Sequence, residues 1–214
     1  MSYVVARLDQ IEELTDGREP WQPVRHKLGI TAFGVNAWTG HAAGDRIIYE
    51  HDEADEDGNE ELYVVLSGRA AFELDGERFD APAGTLVLAR SGTKRTAFAE
   101  EPETTILAYG GIVGHAYEVS GWELWAPVNP LYQAGEYAEA ADRAKEIVEA
   151  NPQYPMLAYN LACCESLAGR HADAIAHLRP AVESSERLRG FAREDTDLDP
   201  IRDEPELEAL LEGS

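Results

Sequence analysis

The chain has 214 residues, of which 44% are hydrophobic, an ordinary proportion for a globular protein. Its 41 acidic and 18 basic residues give a formal net charge of −23, which repels phosphate backbones and anionic lipids and so excludes nucleic acids and membranes as partners. No apolar run reaches the roughly 20 residues of a membrane helix, and the N-terminal residues lack the basic and apolar regions of a signal peptide, so we expect a cytoplasmic location.

The first half of the chain shows a period of two. Two strands are predicted over residues 21–29 and 30–38, with a turn near Gly29. From residue 44 to 99, apolar and polar residues alternate in short runs that end at turn signals such as Asp75-Gly76. Further strands are predicted at 61–67, 69–74, 77–80, 84–89, 94–99 and 103–109. So many short antiparallel strands favour a sandwich or barrel, and the acidic stretch 52–60 is predicted to be a solvated loop.

Beyond Pro130 the period becomes helical. A glycine, an aromatic residue and an alanine recur at an offset of 34 residues: Gly135 with Gly169, Tyr137 with His171, and Ala140 with Ala174. This pattern, closed by Pro152, resembles the tetratricopeptide repeat over roughly residues 131–188. The resemblance implies paired helices that offer a surface for a protein partner. Cys163 and Cys164 fall on one of these helices and are expected to be buried and reduced.

Within the β region, the residues from Glu61 to Gly68 resemble the second half of the first cupin motif, and Gly84 and Gly92 keep the spacing of the second motif. The resemblance implies a cupin double-stranded β-helix, or jelly-roll barrel. We therefore predict a β plus α protein of two domains. These are a cupin β-barrel over 1–118, a linker arm over 119–130, and a tetratricopeptide-like helical domain over 131–214 that ends in a capping helix.

The candidate site follows from the cupin resemblance. His51 and Glu53 lie two residues apart, so they share a strand face, and Glu61 keeps the position of the motif glutamate. The resemblance implies that such residues bind a divalent metal, namely manganese, iron, nickel or zinc. Arg95, however, stands where the second motif has its histidine, and Arg90 replaces the motif proline. A guanidinium group has no lone pair to donate and cannot be a metal ligand.

Two arrangements of this site remain open. In the favoured one, Arg95 pairs with Glu61 or Glu53 and fills the site by charge compensation, so that no cofactor is expected. In the other, His51, Glu53 and Glu61 still bind a metal, and Arg95 holds an anionic substrate beside it. Tyr49 and Tyr63 are predicted to line the pocket with these four residues.

These arrangements correspond to two functions. The first is a protein that binds a small molecule or a partner, in which a degenerate cupin site is joined to a helical module for protein interaction or oligomerisation. The second is a divalent-metal-dependent oxygenase or isomerase that acts on a small anionic substrate. The sequence assigns no catalytic residue and leaves open whether the chain is an enzyme. We expect a homodimer in either case, because twofold symmetry is the commonest closed arrangement.

Overall fold

The computed structural model describes residues 4–15, 17–54 and 58–212, so that part of the predicted acidic loop, residues 55–57, lies outside the described residues. The chain divides into two compact units, with the division between Val119 and Ser120. Among the described residues, no helix combines the length and the apolar composition needed to cross a bilayer.

The first unit is built mainly from strands. A short 3₁₀ turn over Leu8–Gln10 and one helix, α1 (Val24–Leu28), accompany them. The strands are β1 (Trp21–Gln22), β2 (Gly34–Gly40), β3 (Arg46–His51), β4 (Asn59–Ser67), β5 (Arg69–Leu74), β6 (Glu77–Pro82), β7 (Leu86–Ala89), β8 (Arg95–Ala99) and β9 (Thr104–Ile112).

These strands form two antiparallel sheets, with the orders β1-β2-β9-β4-β7 and β3-β8-β5-β6. Alternate residues of each strand contribute to one apolar core, in which Tyr63, Phe72 and Ile106 are each at most 1% exposed. The predicted two-sheet β architecture is confirmed.

The prediction of a continuous strand over residues 21–29 is wrong. The strand ends at Gln22, and Val24–Leu28 forms helix α1. Pro23 has no N–H with which to continue a ladder, and it occupies the N-cap position of the helix. Gly29 ends the helix in the left-handed conformation, with φ 67°, and its N–H bonds back to carbonyls of the last turn. The chain therefore turns here by a capped helix, and β2 begins only at Gly34.

Two tight turns of the first unit depend on residues that adopt positive φ. Asp75 and Gly76 both have positive φ, as a two-residue hairpin between β5 and β6 requires. Gly68, the last residue of the first cupin-like motif, also has positive φ, and a Cβ atom at this position would lie 2.3 Å from Oγ1 of Thr104. Only glycine fits there, which explains why the motif closes on this residue.

The second unit is helical, and the predicted fold class of β plus α is confirmed. Its helices are α2 (Gly121–Trp125), α3 (Asn129–Gln133), α4 (Tyr137–Ala150), α5 (Pro155–Leu167), α6 (His171–Ser184), α7 (Glu186–Glu194) and α8 (Pro205–Glu212), with a 3₁₀ segment over Thr196–Ile201. Residues 119–130, predicted to be a linker arm, contain α2 and the start of α3. Trp125 and Val128 from this segment are buried in one apolar cluster with Leu157 and Leu161 of α5.

Candidate functional site

The candidate site lies where three strands of the first unit approach one another. His51 is the last residue of β3, Arg95 is the first residue of β8, and the two are cross-strand partners. Glu61 lies on β4 of the opposite sheet, two residues before the buried Tyr63, so both side chains point to the same face. Glu53 follows β3 in the left-handed conformation, with φ 54°, and its carbonyl accepts a hydrogen bond from Ser91 Oγ at 3.0 Å.

Arg95 makes the most extensive contacts of the site. Its Nη2 donates to Oε2 of Glu61 at 2.8 Å, Nε donates to the hydroxyl of Tyr63 at 3.3 Å, and Nη1 donates to the carbonyl of Thr93 at 3.0 Å. Nη2 also lies 3.9 Å from Oε1 of Glu53. The side chain of Arg95 has no exposed surface, so its charge is compensated entirely inside the protein.

The ring of His51 is held in a fixed orientation. Its Nδ1 donates to the carbonyl of Tyr49 at 2.8 Å, and the two rings stack with centroids 4.4 Å apart. This leaves Nε2 facing the carboxylates, 3.3 Å from Oε2 of Glu61 and 3.4 Å from Oε1 of Glu53. Tyr49 therefore positions the imidazole of His51. The ring of Tyr49 in turn contacts the guanidinium of Arg18, which lies 5.1 Å from the ring centre.

The two oxygens of Glu61 have different environments. Oε2 accepts hydrogen bonds from Arg95, His51 and the hydroxyl of Tyr63. Oε1 lies towards Gly110 of β9, where a Cβ atom would be 3.7 Å away. The same position lies 3.7 Å from Oδ1 of Asn59, so Gly110 adjoins both side chains.

The electrostatics of the site keep Glu61 ionised. Burial by itself would raise the pKa of Glu61, but the hydrogen bonds from His51, Tyr63 and Arg95 outweigh it, and the pKa lies below its ordinary value. Burial would lower the pKa of His51, but its bonds to Glu61 and to the Tyr49 carbonyl outweigh burial and raise it. Burial, followed by the charge of Glu61, raises the pKa of Tyr63 well above its usual range, so this residue remains a donor.

The donor set can be tested against a metal ion. One ligand atom each from His51, Glu53 and Glu61 lie within 4.8 Å of one another, which is close enough for three donors to share an ion. However, Oε2 of Glu61 already accepts a hydrogen bond from Arg95. The positive charge of that guanidinium would also offset part of the attraction of the two carboxylates for a divalent cation. The three donors therefore fit a metal in spacing, and Arg95 competes with the ion for Glu61.

The contacts given above link all six residues predicted for the site, which are Tyr49, His51, Glu53, Glu61, Tyr63 and Arg95. Two further participants were not predicted. The carbonyl of Thr93 has no sequence signal because any residue supplies one. Gly110 carries no sequence signal of its own. Its position opposite Glu61 depends on the pairing of β4 with β9, which no local pattern reveals.

A second group of ionisable residues lies in the helical unit. The carboxylate of Asp195 accepts from the hydroxyl of Tyr159 at 2.8 Å and lies 3.7 Å from Sγ of Cys163. Asp197 accepts from the hydroxyl of Tyr132 at 2.6 Å. These bonds hold the segment that precedes α8 against α3 and α5, and we interpret them as structural.

Comparison with known proteins agrees with the two parts of the chain. The tetratricopeptide repeat family matches residues 131–186. No curated protein shows significant similarity to the chain.

Solved cupin structures match about half of the chain. A cupin protein from Bacteroides fragilis is 20% identical, with 52% of this chain and 92% of that chain covered and a TM-score of 0.39. KdgF from Halomonas sp. is 17% identical, with 51% and 93% covered and a TM-score of 0.42. A sugar phosphate isomerase from a cupin superfamily, from Silicibacter pomeroyi, is 14% identical, with 54% and 83% covered and a TM-score of 0.43.

The chain thus joins a β unit of two antiparallel sheets to a helical unit, and the predicted tetratricopeptide-like repeat of the helical unit is confirmed by the family match over residues 131–186.

Proposed function

We propose that the β unit binds a small molecule without a metal cofactor, and that the helical unit mediates contact with a protein partner or with a second copy of the chain. The observation that carries this proposal is the ion pair between Arg95 and Glu61, with an Nη2–Oε2 distance of 2.8 Å and a fully buried arginine side chain. Arg95 acts as the resident cation of a site that in related folds would hold a metal.

Charge supports this assignment. At an effective dielectric constant of about 20, two like unit charges about 4 Å apart repel by roughly 4 kcal/mol, so the guanidinium offsets part of the attraction of Glu53 and Glu61 for a divalent ion. Arg95 remains charged at any physiological pH, so this repulsion cannot be relieved by deprotonation. An ion that took Oε2 of Glu61 would also leave the buried charge of Arg95 with one acceptor fewer.

The same contacts define the chemistry of the ligand. Each guanidinium nitrogen of Arg95 already donates to Tyr63, Thr93 or Glu61, so the arginine offers no exposed donor to an anion. The expectation that Arg95 would orient an anionic substrate therefore has no support in its contacts. A ligand would instead meet the partly exposed side chains of His51, Glu53 and Glu61, which are 15%, 13% and 16% exposed. We propose a ligand that donates a hydrogen bond to Oε1 of Glu61.

For the helical unit, the proposal depends on the tetratricopeptide repeat match over residues 131–186. Such repeats commonly present a surface to peptide segments. In this chain Tyr159 and Cys163 of α5 contact Asp195, so the chain's own 3₁₀ segment covers part of α5. A partner would bind the remaining surface of the helices.

A second candidate function, a divalent-metal-dependent enzyme of the oxygenase or isomerase class, is favoured by one observation, the convergence of donor atoms from His51, Glu53 and Glu61. Metal analysis of protein purified without chelators separates the two. We expect less than a tenth of an equivalent of manganese, iron, nickel or zinc, unchanged in His51→Ala. A near-stoichiometric metal that is lost in His51→Ala would overturn the proposal and support the enzyme.

A further inference from the structure

A cleft separate from the candidate site lies against the outer face of the five-stranded sheet. Its volume is about 680 Å³, and its walls are the N-terminal segment around Leu8–Gln10 and the ends of β2 and β9. Thr39 and Thr105, cross-strand partners on these two strands, form part of the wall. None of its lining residues belongs to the candidate site described above.

Gln22 supplies a buried polar group to this cleft. The residue is only 8% exposed and lines the cleft from β1. Its Oε1 is buried and has no hydrogen-bond partner among the residues that the structure describes. An unsatisfied buried carbonyl is unfavourable, so its presence calls for a donor from outside the chain.

The groups around Gln22 suit a small ligand that has a hydrogen-bond donor at one end and a short hydrocarbon chain. The hydroxyls of Thr39 and Thr105 lie 3.1 Å apart, so one of them accepts from the other and oxygen lone pairs remain for a ligand. Leu8 and Ile11 supply an apolar wall beside these polar groups.

The rim of the cleft carries a surplus of negative charge. Arg7 neutralises Asp9 through two hydrogen bonds, of 2.9 Å and 2.6 Å. The imidazole of His41 lies between two carboxylates, 3.1 Å from Glu13 and 3.2 Å from Glu103. Even when His41 is protonated, one positive charge faces two negative ones. The rim therefore attracts a cation and repels an anion.

We propose that this cleft binds a small aliphatic amine, whose ammonium group donates to Oε1 of Gln22 and to the threonine hydroxyls while its carbon chain packs on Leu8 and Ile11. An ammonium group has three donors and no acceptor, which matches a site that offers acceptors and negative charge. A carboxylate would meet the unpaired carbonyl of Gln22 and the acidic rim, and would be repelled by both.

The test uses the full chain and three short linear probes of similar length but different charge: putrescine, butanediol and succinate. Binding is followed by chemical-shift changes in amide NMR spectra at near-physiological ionic strength, so that nonspecific attraction to the acidic surface is screened. We expect putrescine to bind most tightly, with shifts that map to Gln22, Thr39 and Thr105, butanediol weakly, and succinate not at all.

Two variants identify the site. Gln22→Met removes the acceptor and should weaken putrescine binding about tenfold, the equivalent of one hydrogen bond to a charged group. Thr105→Val removes a second acceptor, the hydroxyl of Thr105, and should also weaken putrescine binding. Glu77→Gln, at an exposed position of β6 outside both the cleft and the candidate site, is the matched control and should leave putrescine binding unchanged.

The proposal is overturned if none of the probes shifts the resonances of the cleft, as expected for a cleft that holds only water. It is overturned equally if putrescine binds Gln22→Met and Thr105→Val as tightly as the unmodified chain, which would indicate nonspecific attraction. Binding of succinate in preference to putrescine would also contradict it.

Discussion

Arg95 at the start of β8 and Glu61 in β4 belong to different sheets, and their ion pair at 2.8 Å joins the two sheets at the end of their common core. The arginine side chain is fully buried and the glutamate side chain is 16% exposed. Such a pair contributes little net free energy when intact, because desolvation offsets the attraction. It becomes critical when one partner is removed.

We therefore predict that Arg95→Met lowers the free energy of unfolding by about 3 kcal/mol, since it leaves the carboxylate of Glu61 buried without its main counter-charge. Glu61→Gln should have a similar cost because it isolates the charge of Arg95, although Glu53 lies 3.9 Å away and offers partial compensation. The measurement is urea denaturation of the full chain, in which a spectroscopic signal of the β unit reports unfolding.

The double variant Arg95→Met/Glu61→Gln is the control for this first prediction. It removes both charges, so its loss of stability should be smaller than the sum of the single losses by about 1–3 kcal/mol. Strict additivity would show that the two residues do not interact in solution, and the contact on which the proposed function depends would be lost with it.

A second prediction concerns metal binding. If the guanidinium of Arg95 excludes a divalent ion, Arg95→His should create a site, because the new imidazole adds a fourth donor to His51, Glu53 and Glu61 and removes the repelling charge. Zinc or manganese at about a hundred times its dissociation constant should stabilise Arg95→His by about 2.7 kcal/mol and leave the unmodified chain unchanged. The measurement is thermal unfolding with and without each ion.

Arg95→Met is the matched control for metal binding, since it removes the charge without adding a donor. It should gain less stabilisation from either ion than Arg95→His does, because only three donors remain. Equal stabilisation of the unmodified chain and of Arg95→His would show that Arg95 does not govern access of the metal.

The sequence predicts the participants of this site better than their arrangement. The motif spacing identifies Glu61, and the exchange of histidine for arginine identifies Arg95. The spacing cannot show that Arg95 is buried, or that all three donors meet on one oxygen of Glu61, because these features depend on the packing of two sheets. The role of Gly110 likewise arises from a strand pairing between residues far apart in the chain.

In the fold, periodicity predicts the strands well where turn residues are unambiguous, as at Asp75-Gly76. It fails over residues 21–29, where a run of mixed residues fits a strand or a short helix and the outcome depends on Pro23 and Gly29 as caps. The repeat predicts the helical unit, but helix α2 within the expected linker has no such signal, because a short segment with prolines shows no periodicity.

A third prediction concerns the adjacent cysteines of α5. Both are buried and neither forms a disulfide, as expected from the sequence. Burial raises the pKa of Cys164 to about 12, and burial followed by the charge of Asp195 raises that of Cys163 further. Since the thiolate is the reactive form, we predict that neither thiol reacts with a disulfide reagent at about pH 8 in the folded chain. Both should react at once in urea, and rapid modification of one thiol in the folded chain would contradict the burial of that residue.

The last prediction concerns Asp197 and the direction in which the stability of the helical unit changes with pH. Burial raises the pKa of Asp197, and the charges of Asp195 and Asp199 raise it further, against the opposing hydrogen bond from Tyr132. A carboxyl group whose pKa is higher in the folded state binds its proton more tightly there, so stability increases as pH falls through that pKa and is lower at neutral pH. Asp197→Asn keeps an acceptor for Tyr132 but removes the charge, and it should therefore stabilise the helical unit at neutral pH.

The difference between Asp197→Asn and the unmodified chain should disappear under acidic conditions, where Asp197 itself is neutral. Tyr132→Phe is the matched control. It removes the donor of the 2.6 Å hydrogen bond and should lower the free energy of unfolding by about 1.5 kcal/mol at neutral pH. Urea denaturation at neutral and acidic pH, followed by the helical signal, measures both. A loss of stability in Asp197→Asn as large as that in Tyr132→Phe would mean that the negative charge of Asp197 is itself stabilising, contrary to the direction of its pKa.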